Sequence, residues 1–321
     1  MNNKPYSIGI DIGGTNTVFG IVDKEGKVIA KSSIKTKAHE SFDAYLEELH
    51  KELDSLIKES DAAGKISGIG IGAPAANYHT GEIANAANLN WGERVPIAKL
   101  VSEKFGGLPV AITNDANAAT LGEMTYGAAK GMKDVVMITL GTGVGSGIVS
   151  NGKLVYGHDG LAGELGHVRV ERNGRECGCG RKGCLETYCS STGVVRTAKE
   201  FLKSGNSSAL RDIPEDKLTS KDVYDAAKAG DRMANEIFEF TGKMLGEALA
   251  DFTAFSSPEA FILFGGLMRS GDLLLEPVKK AFDESLLFVY KEKPKILVSE
   301  LNEDDGAVLG ASALGWIADE K

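Results

Sequence analysis

Two glycine-rich segments, one in each half of the chain, restrict the fold more than any other feature. The first, SIGIDIGGTNTVFGIVDKEGKVIA, begins at Ser7, and the second, VVMITLGTGVGSGIVSNGKLV, begins at Val135. In each segment short apolar strands flank a glycine turn, which is typical of an antiparallel meander. The segments lie too far apart for a solenoid repeat, whose period is about 20–50 residues. They therefore predict an α/β chain in which one domain topology occurs twice.

The length of the chain also favours two domains, because 321 residues exceed what a single core usually supports. We expect a small N-terminal α/β domain over 1–117, completed by a C-terminal helix over 305–321, and a larger α/β domain over 118–304. Because no Pro- or Ser-rich linker separates the halves, we expect the domains to share an interface and a cleft. The apolar spacing further predicts helices over 41–63 and 186–203.

Composition and charge exclude several classes of protein. Hydrophobic residues make up 42% of the chain and charged residues 25%, which argues against intrinsic disorder. No apolar run reaches the roughly 18 residues of a membrane span, and the N-terminus does not resemble a secretory signal, so we expect a cytoplasmic protein without a membrane partner. A net charge of −9 argues against a nucleic-acid partner. Any bound phosphate must then be held by backbone amides and metal.

The two glycine turns are candidate phosphate loops. Glycine lets the backbone approach an anion closely, and a cluster of N–H groups holds phosphate without side-chain charge. For either turn alone, an ordinary hairpin is the better interpretation, but two matching tips favour a nucleotide site. The Walker and dinucleotide-binding patterns do not fit, because no Gly-Lys pair is followed by Ser or Thr and a strand follows the first turn. The candidate loop residues are Gly13, Gly14, Thr15 and Asn16 in the first turn and Gly141, Thr142 and Gly143 in the second.

The segment Asn114-Asp115-Ala116-Asn117 follows a predicted strand over 110–113. One polar residue would suffice to cap the following helix, and three polar residues within four positions exceed that need. A carboxylate at the end of a strand can accept a proton from a hydroxyl group that attacks a phosphoryl group. We therefore expect Asp115 to be catalytic, with helix capping as the alternative.

Three cysteines and one histidine form the most specific pattern. Cys177, Cys179 and Cys184 lie within eight residues, and His167 comes ten residues before the first of them. Three sulfurs and one imidazole complete a tetrahedral zinc site with no open position, so a bound zinc ion would be structural. The alternative is a set of buried thiols and a core histidine. Cys189 lies outside the spacing and is interpreted as an ordinary buried thiol.

The order of motifs DIGGT, NDANAA, LGTGVGSG, GELGH, CGCGRKGCLE and LFGGL resembles that of the ROK family (repressors, open reading frames and kinases) over essentially the whole chain. The resemblance implies the two-domain actin-like, ribonuclease H-like ATPase fold of sugar kinases. It implies that Asp115 is the catalytic base and that His167, Cys177, Cys179 and Cys184 hold zinc. The sugar pocket that it implies consists of Gly72, Asn88, Asn114, Asp115, Glu164, His167 and Glu186.

The resemblance also assigns the nucleotide side of the site. It implies ATP as the donor and an Mg²⁺ ion that Asp11 holds through water beside the first loop. Paired glycines at Gly265 and Gly266, after a predicted strand over 260–264, would let a base or ribose lie against backbone. A turn without a ligand explains this pair almost equally well.

The function expected from these features is phosphorylation of a hexose at its 6-hydroxyl, with glucose as the first candidate. Kinases for N-acetylhexosamines, mannose or fructose remain alternatives, because the named pocket residues contact hydroxyls that these sugars share. A sugar-responsive repressor requires a helix-turn-helix module, and about seven residues precede Ile8. An actin-like structural ATPase would leave the zinc ligands and GELGH unexplained. The family resemblance also implies a homodimer or homotetramer.

Overall fold

A computed structural model describes residues 4–38, 41–86, 89, 91–203, 205, 207–302 and 305–320 of the chain. The described residues form thirteen strands and nine α-helices. The strands are β1 (Tyr6–Ile12), β2 (Asn16–Asp23), β3 (Val28–Lys35), β4 (Ile66–Gly72), β5 (Ala76–Asn77), β6 (Glu82–Ala84), β7 (Arg94–Val95), β8 (Val110–Thr113), β9 (Val135–Leu140), β10 (Val144–Ser150), β11 (Lys153–Leu154), β12 (Ala260–Phe264) and β13 (Lys295–Val298).

The helices alternate with these strands along most of the chain. They are α1 (Phe42–Glu59), α2 (Ile97–Lys104), α3 (Asp115–Tyr126), α4 (Glu186–Cys189), α5 (Ser191–Leu202), α6 (Ser220–Lys228), α7 (Arg232–Ser256), α8 (Asp272–Ser285) and α9 (Gly306–Trp316). Every helix within the described ranges is too short or too polar to cross a bilayer.

The chain divides into two compact units. The first comprises Met1–Met132, Leu154–Ala162 and Glu300–Lys321, and the second comprises Lys133–Lys153 and Gly163–Ser299. The first unit includes the C-terminal helix, and it continues across positions 117 and 118, where the sequence-based ranges divide the chain. That position lies inside α3, which packs against α9 with Gly310 directly on the Ala118 carbonyl. A break there would split a helix that belongs entirely to the first unit.

The first unit is built on a five-stranded sheet in the order β3-β2-β1-β4-β8. Strands β1, β2 and β3 are antiparallel, whereas β1, β4 and β8 are parallel. Helix α1 buries Tyr45, Leu49 and Leu53 in the core of this unit, so its apolar stripe serves packing as expected. The helix ends at Glu59, four residues before the predicted end, because Asp61 takes a left-handed conformation (φ 52°).

The second unit repeats this plan. Its five-stranded sheet has the order β11-β10-β9-β12-β13, with an antiparallel β9–β10 hairpin followed by the parallel strands β12 and β13. Helices α7 and α8 cover the sheet, and Phe238, Leu245 and Leu249 of α7 are fully buried. The predicted duplication of a glycine-tipped hairpin and parallel strands is therefore present in both units.

Two local features differ from the sequence-based expectations. The predicted helix over 186–203 is interrupted at Ser190, whose extended backbone ends α4 and whose hydroxyl accepts the Gly193 N–H at 3.0 Å to cap α5. A small three-stranded sheet of β5, β6 and β7 was not predicted. Its strands have only two or three residues, which is too short for a periodic pattern to show.

Candidate active site

Three parallel strands of the first unit end at one edge of its sheet. Asp11 of β1 pairs with Gly72 of β4, and Gly72 pairs with Thr113 of β8. A Cβ placed on Gly72 would lie 3.8 Å from Asp11 Oδ1 and 3.2 Å from the Ala118 Cβ, so the strands and α3 approach closely here. Asn114 and Asp115 continue directly from Thr113. The edge thus brings together the predicted residues Asp11, Gly72, Asn114 and Asp115.

Asn114 and Asp115 have separate tasks at the start of α3. Asn114 Oδ1 accepts the Asn117 N–H at 2.7 Å, which is the N-cap hydrogen bond. Among the described residues, Asp115 Oδ1 accepts only the neighbouring Ala116 N–H at 2.9 Å, and the Asp115 side chain is exposed. Because Asn114 fills the capping role, the Asp115 carboxylate is not needed for the N-cap hydrogen bond.

The environment of Asp11 suits a cation. Burial, reinforced by the negative charge of Asp115, raises the pKa of Asp11 to about 6. Hard divalent cations take oxygen ligands and offset the repulsion between neighbouring carboxylates. The donor chemistry of this edge therefore fits Mg²⁺.

The first glycine turn, loop 1 (Gly13–Asn16), is closed by its own backbone. The Gly13 N–H donates to Asn16 O at 3.0 Å, and the Thr36 N–H donates to Thr15 O at 2.9 Å. Lys35 Nζ donates to Asn16 Oδ1 at 2.8 Å. Within the described part of the chain, the Gly14 and Thr15 N–H groups have no acceptor. Two adjacent N–H groups of this kind suit an anion.

The second glycine turn, loop 2 (Gly141–Gly143), is held from α5. The Gly141 N–H donates to Gly143 O at 3.0 Å, while the Ser191 N–H and Oγ both donate to Gly141 O at 2.9 Å. Thr192 Oγ1 donates to Thr142 O at 2.9 Å. No described residue accepts from the Thr142 and Gly143 N–H groups. Loop 2 thus offers the same kind of unused donors as loop 1.

A cavity of about 450 Å³ opens beside loop 2 within the second unit. Tyr224, Phe238 and Leu267 supply an apolar wall large enough for a flat ring. The residues that line it are Gly141, Thr142, Ser191, Ser220, Lys221, Tyr224, Phe238, Gly266, Leu267, Arg269 and Ser270. No sequence motif pointed to the wall residues of α6 and α7, because they come together only in the folded unit.

The two glycines of the 265–266 pair have different surroundings. Gly266 lines the cavity. Gly265 is not among the lining residues, and its φ is +107°. A Cβ at Gly265 would lie 2.7 Å from Leu140 O. Backbone conformation and packing therefore account for Gly265, as the alternative interpretation of a turn without a ligand had it.

The four predicted zinc ligands form one cluster. The ligand atoms of His167, Cys177, Cys179 and Cys184 all lie within 4.8 Å of one another. Cys179 Sγ is 3.6 Å from Cys184 Sγ, and Cys177 Sγ is 3.6 Å from His167 Nδ1. A tetrahedral ion with Zn–S near 2.3 Å and Zn–N near 2.0–2.1 Å would give separations of about 3.8 Å and 3.6 Å. The donor set and its spacing fit zinc, and the sulfurs are too far apart for a disulfide.

Arg175 fastens the loop that carries the cysteines, a contact that no sequence pattern indicated. Its guanidinium makes a bidentate pair with Glu200 (2.9 and 2.6 Å) and donates to Thr187 O at 2.7 Å. The Arg175 N–H donates to the Tyr188 hydroxyl at 3.0 Å. Because the side chain is buried, these charge-assisted bonds hold the cysteine loop against α4 and α5.

Ser146 of β10 holds the GELGH segment, residues 163–167, through two hydrogen bonds. Its hydroxyl donates to Gly163 O and accepts the Leu165 N–H at 3.0 Å. Glu164 between these residues is exposed, and His167 is half-buried with Nδ1 directed at the cysteines. The second ring nitrogen of His167 is therefore the one available to a hydroxyl group.

Glu186 begins α4, directly after the cysteine cluster. Its Oε2 accepts the Val144 N–H at 3.1 Å, next to loop 2. This contact was not expected from the sequence, which gave Glu186 only a sugar-binding role. Asn88, another predicted sugar ligand, lies outside the described residues. Trp91, three positions further on, packs against Tyr45 with ring centroids 4.5 Å apart.

Comparison with known proteins identifies the family of the chain. The ROK family model matches residues 7–316. The chain is 35% identical to the glucokinase of Halalkalibacterium halodurans over all of this chain and 97% of that protein. A ROK family glucokinase from Streptomyces griseus, solved with glucose and AMPPNP, is 33% identical with a TM-score of 0.76, covering 97% of this chain and 99% of that one.

The ROK hexokinase from Thermus thermophilus has a TM-score of 0.84 at 26% identity, covering 98% of this chain and all of that chain. The predicted actin-like α/β fold is thereby confirmed. Together with the repeated glycine loops, the carboxylate edge and the cysteine cluster, these similarities show that the chain belongs to the ROK family.

Proposed function

We propose that this protein is an ATP-dependent hexose kinase that transfers the γ-phosphoryl group to the 6-hydroxyl of glucose, with Asp115 as general base. The observation that carries this proposal is the division of tasks at the start of α3. Asn114 caps the helix, so the exposed Asp115 carboxylate at the sheet edge can accept a proton. The similarity to relatives named glucokinases supports glucose as the substrate.

The acceptor hydroxyl requires this base. A sugar hydroxyl does not ionise unaided at neutral pH, so its proton must leave as the oxygen bonds to phosphorus. Asp115 takes that proton, the P–O bond to the ADP leaving group breaks, and glucose 6-phosphate forms. Positioning and charge neutralisation supply the rest of the rate, as is general for phosphoryl transfer.

The sugar is held by hydrogen bonds to its other hydroxyls. Carboxylates and amides bind vicinal hydroxyls in a specific orientation. We assign this role to Asn88, Asn114, Glu164, His167 and Glu186, with Gly72 leaving space at the sheet edge. Zinc held by the cysteine cluster would fix the segment that carries His167 and Glu186, and its closed ligand set makes it structural.

The donor side relies on backbone groups. The Gly14, Thr15, Thr142 and Gly143 N–H groups are suited to the phosphates of ATP, and the apolar cavity beside loop 2 is suited to the base. Mg²⁺ beside Asp11 would neutralise charge on the phosphates. This arrangement agrees with a net charge of −9, which provides no basic field for phosphate.

A substrate panel with a coupled ADP assay tests the proposal. The sugars are glucose, mannose, fructose, N-acetylglucosamine and N-acetylmannosamine, with ATP or inorganic polyphosphate as donor, and ³¹P NMR of the product locates the phosphate. We expect glucose with ATP to give the highest kcat/KM and a 6-phosphate. A higher kcat/KM for an N-acetylhexosamine would replace glucose as the substrate, and no turnover of any sugar would refute the kinase.

A further inference from the structure

The Val144 N–H needs a partner from outside its own hairpin. Gly141 and Gly143 share the hydrogen bond that closes loop 2. Hydrogen-bonded and non-hydrogen-bonded pairs alternate in an antiparallel ladder. The next pair, Leu140 with Val144, is therefore of the non-bonded kind, and its N–H groups are directed away from the partner strand. Glu186 Oε2 supplies the acceptor for Val144 at 3.1 Å.

The Glu186 carboxylate occupies the space that a side chain at Gly143 would need. A Cβ placed on Gly143 would overlap with Glu186 Oε2, whereas a Cβ on Gly141 would meet nothing within 4 Å. A side chain at position 143 would therefore collide with Glu186, whereas one at position 141 would not. Gly143 leaves room for Glu186, so loop 2 and the start of α4 are fitted to each other.

The other oxygen of Glu186 is directed at the cysteine cluster. Glu186 Oε1 lies 3.7 Å from Cys177 Sγ, and Glu186 follows Cys184 by two positions. The carboxylate is half-buried between the cluster and the loop. A metal-bound Cys177 is a thiolate with no proton to donate to Oε1, so the short chain connection from Cys184 to Glu186 is what ties this carboxylate to the proposed metal site. Its Oε2 holds the backbone of the proposed phosphate loop.

We infer that Glu186 is a positioning residue that fixes the conformation of loop 2 and makes that conformation depend on the cysteine cluster. Loss of the metal, or of the Glu186 carboxylate, frees the Val144 N–H and loosens the nucleotide side of the site. The part of this inference that concerns nucleotide binding rests on the proposed function. A Glu186 that contacted only sugar would leave loop 2 unchanged when removed.

Hydrogen exchange of the loop 2 peptide measures the inferred contact without any substrate. In Glu186→Ala the Val144 amide should exchange at least about tenfold faster than in the unaltered protein, because its hydrogen bond is lost. Glu186→Gln keeps an acceptor oxygen and should stay within about threefold. Gly143→Ala should resemble Glu186→Ala, and Gly141→Ala should leave Val144 exchange near the unaltered value.

Removal of zinc with a chelator should raise exchange at Val144 in the unaltered protein but add little in Glu186→Ala. An unchanged rate in Glu186→Ala, in Gly143→Ala or after chelation would overturn the inference.

ADP titration by calorimetry adds a readout of binding in the absence of sugar. Glu186→Ala and zinc removal should each weaken ADP binding by about fivefold or more, and Glu186→Gln should retain affinity within about threefold. Equal ADP affinity in all forms would contradict the inference. If the unaltered protein bound no ADP at all, the proposed kinase would fail, while the exchange experiment would still decide the role of Glu186.

Discussion

Loop 1 and loop 2 are both glycine-rich turns, and each has two N–H groups without an acceptor among the described residues. The hydrogen bonds that hold the two loops differ, however. Loop 1 is closed by bonds within its own meander, the longest of which joins Thr36 to Thr15 across 21 positions. Loop 2 is held by Glu186 and Thr192, which lie 42 and 50 positions from the residues they contact. A glycine turn can therefore be formed by its own strands or held in place by distant side chains.

The carboxylates beside the two loops differ as well. Asp11 next to loop 1 is half-buried close to another acid, and its pKa is raised by burial and by Asp115. Glu186 next to loop 2 accepts a backbone N–H and lies against a thiol. The first arrangement is suited to a cation, and in the second the carboxylate is held by a hydrogen bond.

Replacement of the proposed base should have the largest effect, and it should leave both loops intact. Asp115→Asn keeps the shape of the side chain but cannot accept the proton, so kcat should fall by about 10²–10⁴-fold, or about 3–5 kcal/mol of barrier. Glucose affinity should change little. Because Asn114 provides the N-cap, the melting temperature should also stay close to that of the unaltered protein. Steady-state kinetics, glucose titration and thermal unfolding of this variant give the three values, and a kcat near normal would contradict the catalytic assignment.

Disruption of the cysteine cluster should affect the second unit and spare loop 1. Cys179→Ser should lower zinc content and weaken glucose binding by roughly 10–100-fold, the range typical of a perturbed metal site. Cys189→Ser is the matched control, because Cys189 lies outside the cluster and contacts Thr241 O. Its zinc content should remain near one per chain. The zinc assignment would be wrong if elemental analysis found no zinc in unaltered protein that binds glucose normally.

Removal of the charge at Asp11 should stabilise the protein while impairing the kinase. The pKa of Asp11 is about 6 in the folded protein, above its ordinary value of 3.8. The folded state therefore binds more protons between these values, and this group makes stability fall as pH rises from about 4 to 6. Well above pH 6 the penalty is complete, at most about 3 kcal/mol.

Asp11→Asn should consequently raise the free energy of unfolding at pH 7 by about 1–2 kcal/mol and have almost no effect at pH 4. Magnesium-dependent turnover should fall in the same variant. Urea unfolding at a series of pH values measures the stability difference. A variant that is less stable than the unaltered protein at pH 7 would show that the Asp11 carboxylate is stabilising, contrary to this account.

The smallest effects should come from the outer contacts of the two loops, and they sharpen the comparison directly. Thr192→Ala removes the hydroxyl bond to Thr142 O and should raise the KM for ATP by about two- to fivefold, as expected for one hydrogen bond of about 0.5–1 kcal/mol. Lys35→Ala removes an exposed contact to Asn16 and should change the KM by less than about twofold. Equal effects of the two substitutions would show that loop 2 does not depend more on its distant supports.

The order of the main helices and strands could be read from the sequence, because each has its own apolar period. The break at Ser190 and the small sheet of β5, β6 and β7 could not. Ser190 ends α4 through a capping bond that a continuous apolar pattern hides, and the three short strands pair only after the surrounding chain has folded. The sequence also gives no local sign that all of α3 lies in the first unit, because α9 comes from the far end of the chain to pack on it.

The sequence by itself determined the two glycine turns, the strand-end position of Asp115 and the spacing of the zinc ligands, because each is a short run with its own chemistry. Only the tertiary structure decided that Asn114 rather than Asp115 caps α3, that Arg175 holds the cysteine loop, and that Glu186 reaches the Val144 N–H. A cap is decided by the direction of one side chain, which the residue type does not specify. The other two contacts join residues that become neighbours only when α4 and α5 pack beside the β9–β10 hairpin, and no local pattern encodes that proximity.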